Sequence, residues 1–310
     1  MAAIDFGDDG YLRAQDAAAR GLTTRELNRA VENGTLVRIC RGVFAPPADR
    51  VPLAAHRLAV LGMDAAPGTV VSHSSAAALH RMPMLRPDLS KLHLTSSTTD
   101  RGYQRSHRHV HPGNLAEHDV VIVDGLRVTS LERTAFDVAR TSPHGFAGAL
   151  AAFDSALRLG ANRRSMARYG REPRTGVGTA REALKIANGL SDNPGESWGR
   201  ALMYLDGLPM PRIQTEVFDE YGVFVARPDY DWVDEAGNIV VVGEFDGLGK
   251  YLKYLRPGED VDDALRREKE RESRLQDLGI IVVRWTWSDL YTPNRITRRI
   301  RIQLERTGLL

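Results

Sequence analysis

Acidic residues bracket one hairpin-like stretch of this chain. In RPDYDWVDEAGNIVVVGEFDGLGK, from Arg227 to Lys250, Asp229 follows Pro228, and Glu244 and Asp246 end a run of valines. Side chains alternate along a strand, so Glu244 and Asp246 share a face with Val240 and Val242, while Val241 and Phe245 take the other. Like charges at the end of a buried strand are costly unless something compensates them. A hard cation, Mg²⁺ or Mn²⁺, would do so, because such ions take carboxylate oxygens together with substrate phosphates. Held by Asp229 and Glu244, it could activate water against a scissile phosphate, with Lys250 or Lys253 steadying the developing charge. Glu196, on a preceding helix, would complete the acid cluster. The alternative is a set of exposed strand-end charges that includes Asp231. Strand register decides between them, since a one-residue slip sends the acids to opposite faces.

A second group of residues has the chemistry of duplex recognition. Thr23 and Glu26 form a capping-box pattern that starts a helix running to about Asn33, with Gly34 ending it. Leu27, Ala30 and Val31 fall on one face. Thr24, Arg25, Asn28 and Arg29 lie elsewhere and could read base edges in a major groove. Arg38 and Arg41, in a strand-like stretch broken at Arg41-Gly42, could meet phosphates or the minor groove from a two-stranded wing. A unit used only for protein contact is the alternative. A third group is histidine-rich. RSHRHVH puts Arg105, His107, His109 and His111 on one strand face. That reads as an exposed, weakly basic face, with a metal site as the lesser option because no carboxylate or cysteine is spaced with it.

These residues need elements to hold them. With 310 residues the chain is too long for one small core. The pattern predicts an α+β, multidomain protein with three parts. Residues 1–50 read as a helix near Tyr11 to Arg20, a second helix and a wing, that is, a winged helix-turn-helix. Residues 51–160 read as short strands and helices, an α+β domain. Residues 162–178, rich in arginine and glycine, read as a linker. Residues 177–310 read as helix, helix, three strands (214–218, 223–232 and 239–246), a long charged helix at 261–278, the strand IIVVRW and a closing helix at 293–306, an α/β core.

Composition narrows the classes. Net charge is +2, so nucleic-acid binding must rest on local clusters. No apolar run approaches the roughly 20 residues of a membrane span. The first ten residues are acidic and lack an apolar signal core, and the single cysteine, Cys40, excludes an intrachain disulfide framework. Both features point to a cytoplasmic protein without a membrane partner.

Two family resemblances follow from these motifs. The Pro228-Asp229 pair, the strand-turn-strand and Glu244-Phe245-Asp246 resemble the PD-(D/E)xK nuclease core. With NPGESWGR, GEFDGLGKY, the charged helix and LGIIVVRWT, they resemble its very-short-patch-repair-like branch. The resemblance implies a restriction-endonuclease-like αβββαβ core, a divalent metal and a DNA substrate. It carries over Asp229 and Glu244 as metal ligands and Glu196 as the helix-borne acid. The superfamily's lysine belongs two residues after the glutamate, where this chain has Asp246, so Lys250 is the candidate for its role. The N-terminal unit, together with VVSHSSAAALHRMP and GLRVTSLERTAFDVAR, resembles the AbiEi-type antitoxins of type IV toxin-antitoxin systems. That implies binding to double-stranded DNA at the protein's own promoter and a nucleotidyltransferase toxin as partner. Together they imply a DNA-binding, antitoxin-like transcriptional regulator carrying a nuclease-fold domain. A metal-dependent endonuclease targeted by its winged helix is the alternative.

Overall fold

A computed structural model describes residues 6, 10–63, 68–98, 101–247 and 260–310. The chain is mixed α+β, with sheets of three, six, two and four strands among the described residues. None of the described helices is long and apolar enough to cross a membrane.

The N-terminal unit holds β1 (Leu12–Arg13), α1 (Ala14–Ala19), α2 (Thr24–Glu32), β2 (Val37–Cys40) and β3 (Val43–Ala45). The sequence predicts one helix from Tyr11. Instead Leu12 and Arg13 pair antiparallel with Phe44 and Val43, and the helix starts only at Ala14. The strand wins because Leu12 is needed in the small core with Ala17, Leu27, Ala30, Leu36 and Phe44. The resulting sheet has the order β1-β3-β2.

After α3 (Pro52–Leu61), the middle of the chain forms the six-stranded sheet from β4 (Thr69–Val71), β5 (Leu92–Ser96), β6 (Tyr103–Gln104), β7 (Arg108–Pro112), β8 (Val120–Val123) and β9 (Leu126–Thr129). Their order is β6-β7-β5-β4-β9-β8. β5 and β7 run parallel, as do β4 and β9. Asp124 and Gly125, both at positive φ, close the β8–β9 hairpin in the manner of a type I′ turn. α4 (His73–Leu79) connects β4 to β5. α5 (Leu131–Thr141) and α6 (Gly145–Arg158) follow.

Residues 162–178, expected to run as a linker, carry α7 (Arg163–Arg168) and lead into α8 (Val177–Ile186). The stretch is tied down. Met166 is fully buried, the Tyr169 hydroxyl donates to Asp119, and Arg163 donates to the backbone carbonyls of Leu184 and Ala187 at the end of α8. Gly176, at φ +77, sits where a Cβ would come within 1.9 Å of the Arg140 carbonyl oxygen.

The last part holds α9 (Pro194–Leu205), the ribbon β11 (Val217–Phe218) with β12 (Phe224–Ala226), and a sheet of order β10-β13-β14-β15. Its strands are β10 (Arg212–Ile213), β13 (Tyr230–Val233), β14 (Ile239–Asp246) and β15 (Ile281–Thr286). β13 is antiparallel to β14, and β15 is parallel to it. The continuous strand predicted over 223–232 is broken at Arg227–Asp229, because Pro228 has no N–H to give to a ladder. α10 (Val261–Asp277) precedes β15, and α11 (Trp287–Leu290) and α12 (Arg295–Arg306) end the chain. One hydrophobic core runs from Ala77 and Met82 through Phe136, Leu150 and Phe153 to Trp198, Tyr230, Trp285 and Leu304. The middle and C-terminal parts therefore share their interior, with α6 packed against α5, α8 and α9.

Candidate nucleic-acid interface and carboxylate cluster

α2 begins with the expected box. Thr23 Oγ1 accepts from the Glu26 N–H at 3.2 Å, and Glu26 Oε2 accepts from the Thr23 N–H at 2.8 Å. Both orphan donors are satisfied, which fixes where the helix starts and hence which side chains face out. Leu27 and Ala30 are buried. Thr24, Arg25, Asn28 and Arg29 are exposed on the opposite side. The hairpin β2–β3 stands next to this face. Arg38 donates to Asn28 Oδ1 at 2.6 Å while its guanidinium lies 5.0 Å over the Phe44 ring. Helix and hairpin are thus joined by a side-chain bond. Arg41, at the hairpin turn, is exposed.

Asp229 and Glu196 approach each other near one end of β14, and Glu244 stands at the adjoining register position. Tyr230 pairs with Gly243 and Asp231 with Val242, so Asp229 lies beside Glu244. The Phe245 N–H donates to Asp229 Oδ2 at 2.7 Å. The Gln214 amide reaches Asp229 Oδ1 at 3.3 Å and Glu196 Oε2 at 3.5 Å, linking the two carboxylates. Glu196 is placed by the first turn of α9. There Asn193 caps the helix by accepting from the Gly195 and Glu196 N–H groups, and the Asp192 N–H donates to Glu196 Oε2 at 2.6 Å. α9 presses on β14 here, since a Cβ at Gly195 would lie 2.3 Å from the Phe245 ring. The buried Tyr230 hydroxyl donates to the Glu196 carbonyl at 2.6 Å, and burial beside Glu196 and Asp229 keeps that phenol protonated.

Glu244 has a different set of partners. Its carboxylate is 2% exposed and takes a two-pronged pair from Arg271 of α10, at 2.5 and 2.9 Å. Arg284 of β15 adds an ion-pair contact at 3.1 Å. Arg271 also pairs with Glu268, and Arg284 pairs with Glu268 at 2.6 Å and Glu272 at 3.3 Å. Burial lowers the proton affinity of Arg271, but Glu268 and Glu244 outweigh it and hold the guanidinium firmly charged. Asp231 is likewise paired, with Arg212 at 2.6 Å. Asp246 ends β14 in register with Thr286 and is half-buried. Lys250 and Lys253 lie outside the described residues. The oxygen donors suit Mg²⁺ or Mn²⁺ by type. For Glu244 to reach a cation, however, two guanidinium groups must first let go.

Of the exposed face expected from RSHRHVH, Arg105 and His107 are exposed, while His109 and His111 are half-buried. β5 and β7 pair His93 with His109 and Thr95 with His111. His73, at the start of α4, stacks on His111 with ring centroids 3.7 Å apart, and His109 lies 3.8 Å from His111 on the other side. His93 Nδ1 and His111 Nε2 are 2.9 Å apart. Burial pushes the pKa of His73 down to about 4, that of His93 to about 3 and that of His111 to about 2, and each ring opposes protonation of the next. Among the described residues, His73, His93 and His111 are the group of three possible ligands whose atoms all lie within 4.8 Å of one another. Period-two alternation placed His109 and His111 together but could not show that α4 would cover them. Behind this stack, Asp137 accepts from Arg133 at 2.7 Å and Arg140 at 3.0 Å, and Arg133 also reaches Asp119 at 3.4 Å.

Comparison with known proteins bears first on the N-terminal unit. Residues 6–47 match the family described as "Transcriptional regulator, AbiEi antitoxin". Two uncharacterized proteins of Mycobacterium tuberculosis, one from strain CDC 1551 / Oshkosh and one from strain ATCC 25618 / H37Rv, are each 29% identical over 293 residues. Those alignments cover 93% of this chain and 99% of each relative, so the similarity spans all three parts.

Proposed function

We propose that this chain is a DNA-binding transcriptional regulator of the AbiEi antitoxin kind, acting on double-stranded DNA through a winged helix-turn-helix made of α1, α2 and the β2–β3 hairpin. One observation carries the reading. The family match over residues 6–47 falls on the unit whose exposed face presents Thr24, Arg25, Asn28 and Arg29, with Arg41 at the adjoining turn. α2 enters the major groove, Arg25 and Arg29 meet base edges or phosphates, and the hairpin contacts the flanking backbone. A nucleotidyltransferase toxin is the partner this reading implies. The test is a gel shift on the protein's own promoter. Wild type should bind. Arg25→Ala with Arg29→Ala should lose about 1–3 kcal/mol for each contact that is bidentate to a base. Equal binding by the double variant would overturn the assignment of α2.

A second reading assigns the C-terminal part to the PD-(D/E)xK nuclease fold with Mg²⁺- or Mn²⁺-dependent cleavage of DNA. What favours it is Gln214 linking the carboxylates of Asp229 and Glu196, with Glu244 at the register position beside Asp229. The two arginines on Glu244 count against a cation there. Nicking of supercoiled plasmid in millimolar Mn²⁺, lost in Asp229→Asn, would support this reading. No nicking by wild type would leave the acids a structural role.

A further inference from the structure

We infer that His73, His93 and His111 form a binding site for a first-row transition cation of the Zn²⁺ class, with a fourth coordination position left open. The parallel pairing of β5 with β7 puts His93, Thr95, His109 and His111 on one face of the six-stranded sheet, and α4 sets His73 over that face. Three imidazoles each bring one nitrogen to within 4.8 Å of the others. A tetrahedral ion with Zn–N bonds of about 2.0–2.1 Å needs its ligands roughly 3.3 Å apart. His93 Nδ1 and His111 Nε2, at 2.9 Å, are already that close, and His73, with a nitrogen within 4.8 Å of both, joins them by turning out of its stack on His111. Without a cation those two nitrogens must share a single proton. With one, both lone pairs are used.

The surroundings fit a ligand set. His73 Nδ1 lies 3.0 Å from Ser72 Oγ, and Nε2 lies 3.3 Å from Arg140. With Nε2 on the cation, Nδ1–H donates to Ser72 Oγ as the outer bonds of metal-bound histidines do, and Nε2 gives up the N–H it now accepts from Arg140. His73 holds φ +51, an uncommon backbone conformation for a residue with a side chain, so its ring position is imposed by the turn from β4 into α4. A separate observation comes from Thr95. It is 2% exposed, its hydroxyl has no hydrogen-bond partner, and it sits beside His111 on the same sheet face. A water on the open position of the cation would give that hydroxyl a partner. The nearest charges are Asp137, Arg140 and Arg133; both arginines pair with Asp137, and Arg140 also reaches His73. Three neutral nitrogens without a carboxylate select Zn²⁺, Ni²⁺ or Cu²⁺ over Mg²⁺ or Ca²⁺.

The test uses the full chain after chelator dialysis, titrated with Zn²⁺ by calorimetry and with Co²⁺ by visible absorption. One equivalent of Zn²⁺ should bind, and Co²⁺ should give the intense bands of a four-coordinate site. His93→Ala and His111→Ala should weaken binding by about a hundredfold or more, and Ser72→Ala by roughly tenfold, the scale of a lost outer bond. His109→Ala and Glu244→Gln should bind as wild type, which separates this site from the acids of β14. Circular dichroism checks each fold. If an alanine variant is unfolded, His93→Gln and His111→Gln, closer in volume, are read in its place. Failure of wild type to bind Zn²⁺, or equal binding by folded His93 and His111 variants, overturns the site.

Discussion

Glu244 shows how a single carboxylate's role depends on distant partners. Repulsion among the acids of β14 would make Glu244→Gln neutral or stabilising in the cation-free protein. The pairs to Arg271 and Arg284 reverse that sign, because the amide would strand two guanidinium groups against an uncharged side chain. The expected loss is about 3 kcal/mol, at the low end for a broken buried pair because both arginine side chains are about a quarter exposed. Urea unfolding of the variant against wild type measures it, and an unchanged midpoint would return Glu244 to the repulsion account. Asp137 behaves likewise. Burial raises its pKa, but His73, Arg133 and Arg140 outweigh burial and hold it at about 2. A carboxylate depressed in the folded state contributes stability above its unfolded value, about pH 4, and loses it as pH falls toward 2. Asp137→Asn should therefore destabilise at pH 6 and cost much less at pH 2.5, a difference that thermal melts at the two pH values can read. The acids were legible in the sequence because alternation and Pro228 mark where a strand ends. Their partners were not. RREKERESR reads as a solvated helix face, and nothing local says that Glu268, Arg271 and Glu272 turn toward the sheet.

At the scale of elements, caps and turns proved more legible than strands. The Thr23–Glu26 box was readable because a cap is local chemistry, complete within four residues. Thr23→Ala should cost α2 about 1 kcal/mol. The promoter affinity should fall with it, because the exposed arginines are positioned from that cap. A variant with lower melting temperature but unchanged gel shift would show that α2 is not the reading helix. β1 was missed because two residues carry no periodicity, and only their pairing with β3 makes them a strand. Gly176 makes the joint between α7 and α8. A Cβ there meets the Arg140 backbone, which cannot swing aside as a side chain could, and φ +77 adds strain. Gly176→Ala should lower the melting temperature by several degrees, whereas Gly178→Ala, with open space around its Cβ, should not.

Across the whole molecule, the stretch read as a linker is the instructive case. Its arginines and glycines resemble an exposed connection, and residues 171–175 are indeed exposed. What composition cannot register is that Met166, Val177 and Ala180 belong to a core continuing from α5 and α6 into the C-terminal sheet. Limited trypsin digestion should therefore nick at Arg171 or Arg174 without parting the pieces, which should elute together at the mass of the intact chain. Separate elution would mean two independent interiors. The buried face of α6, which includes Leu150, Ala151 and Phe153, lies beneath both halves. Digestion that consumed either half from its end would strip that greasy surface bare and leave a remnant prone to aggregate and attract further proteolysis. Turnover of this protein should then be all-or-none per copy, and a pulse-chase should show whole chains disappearing without accumulation of half-length fragments.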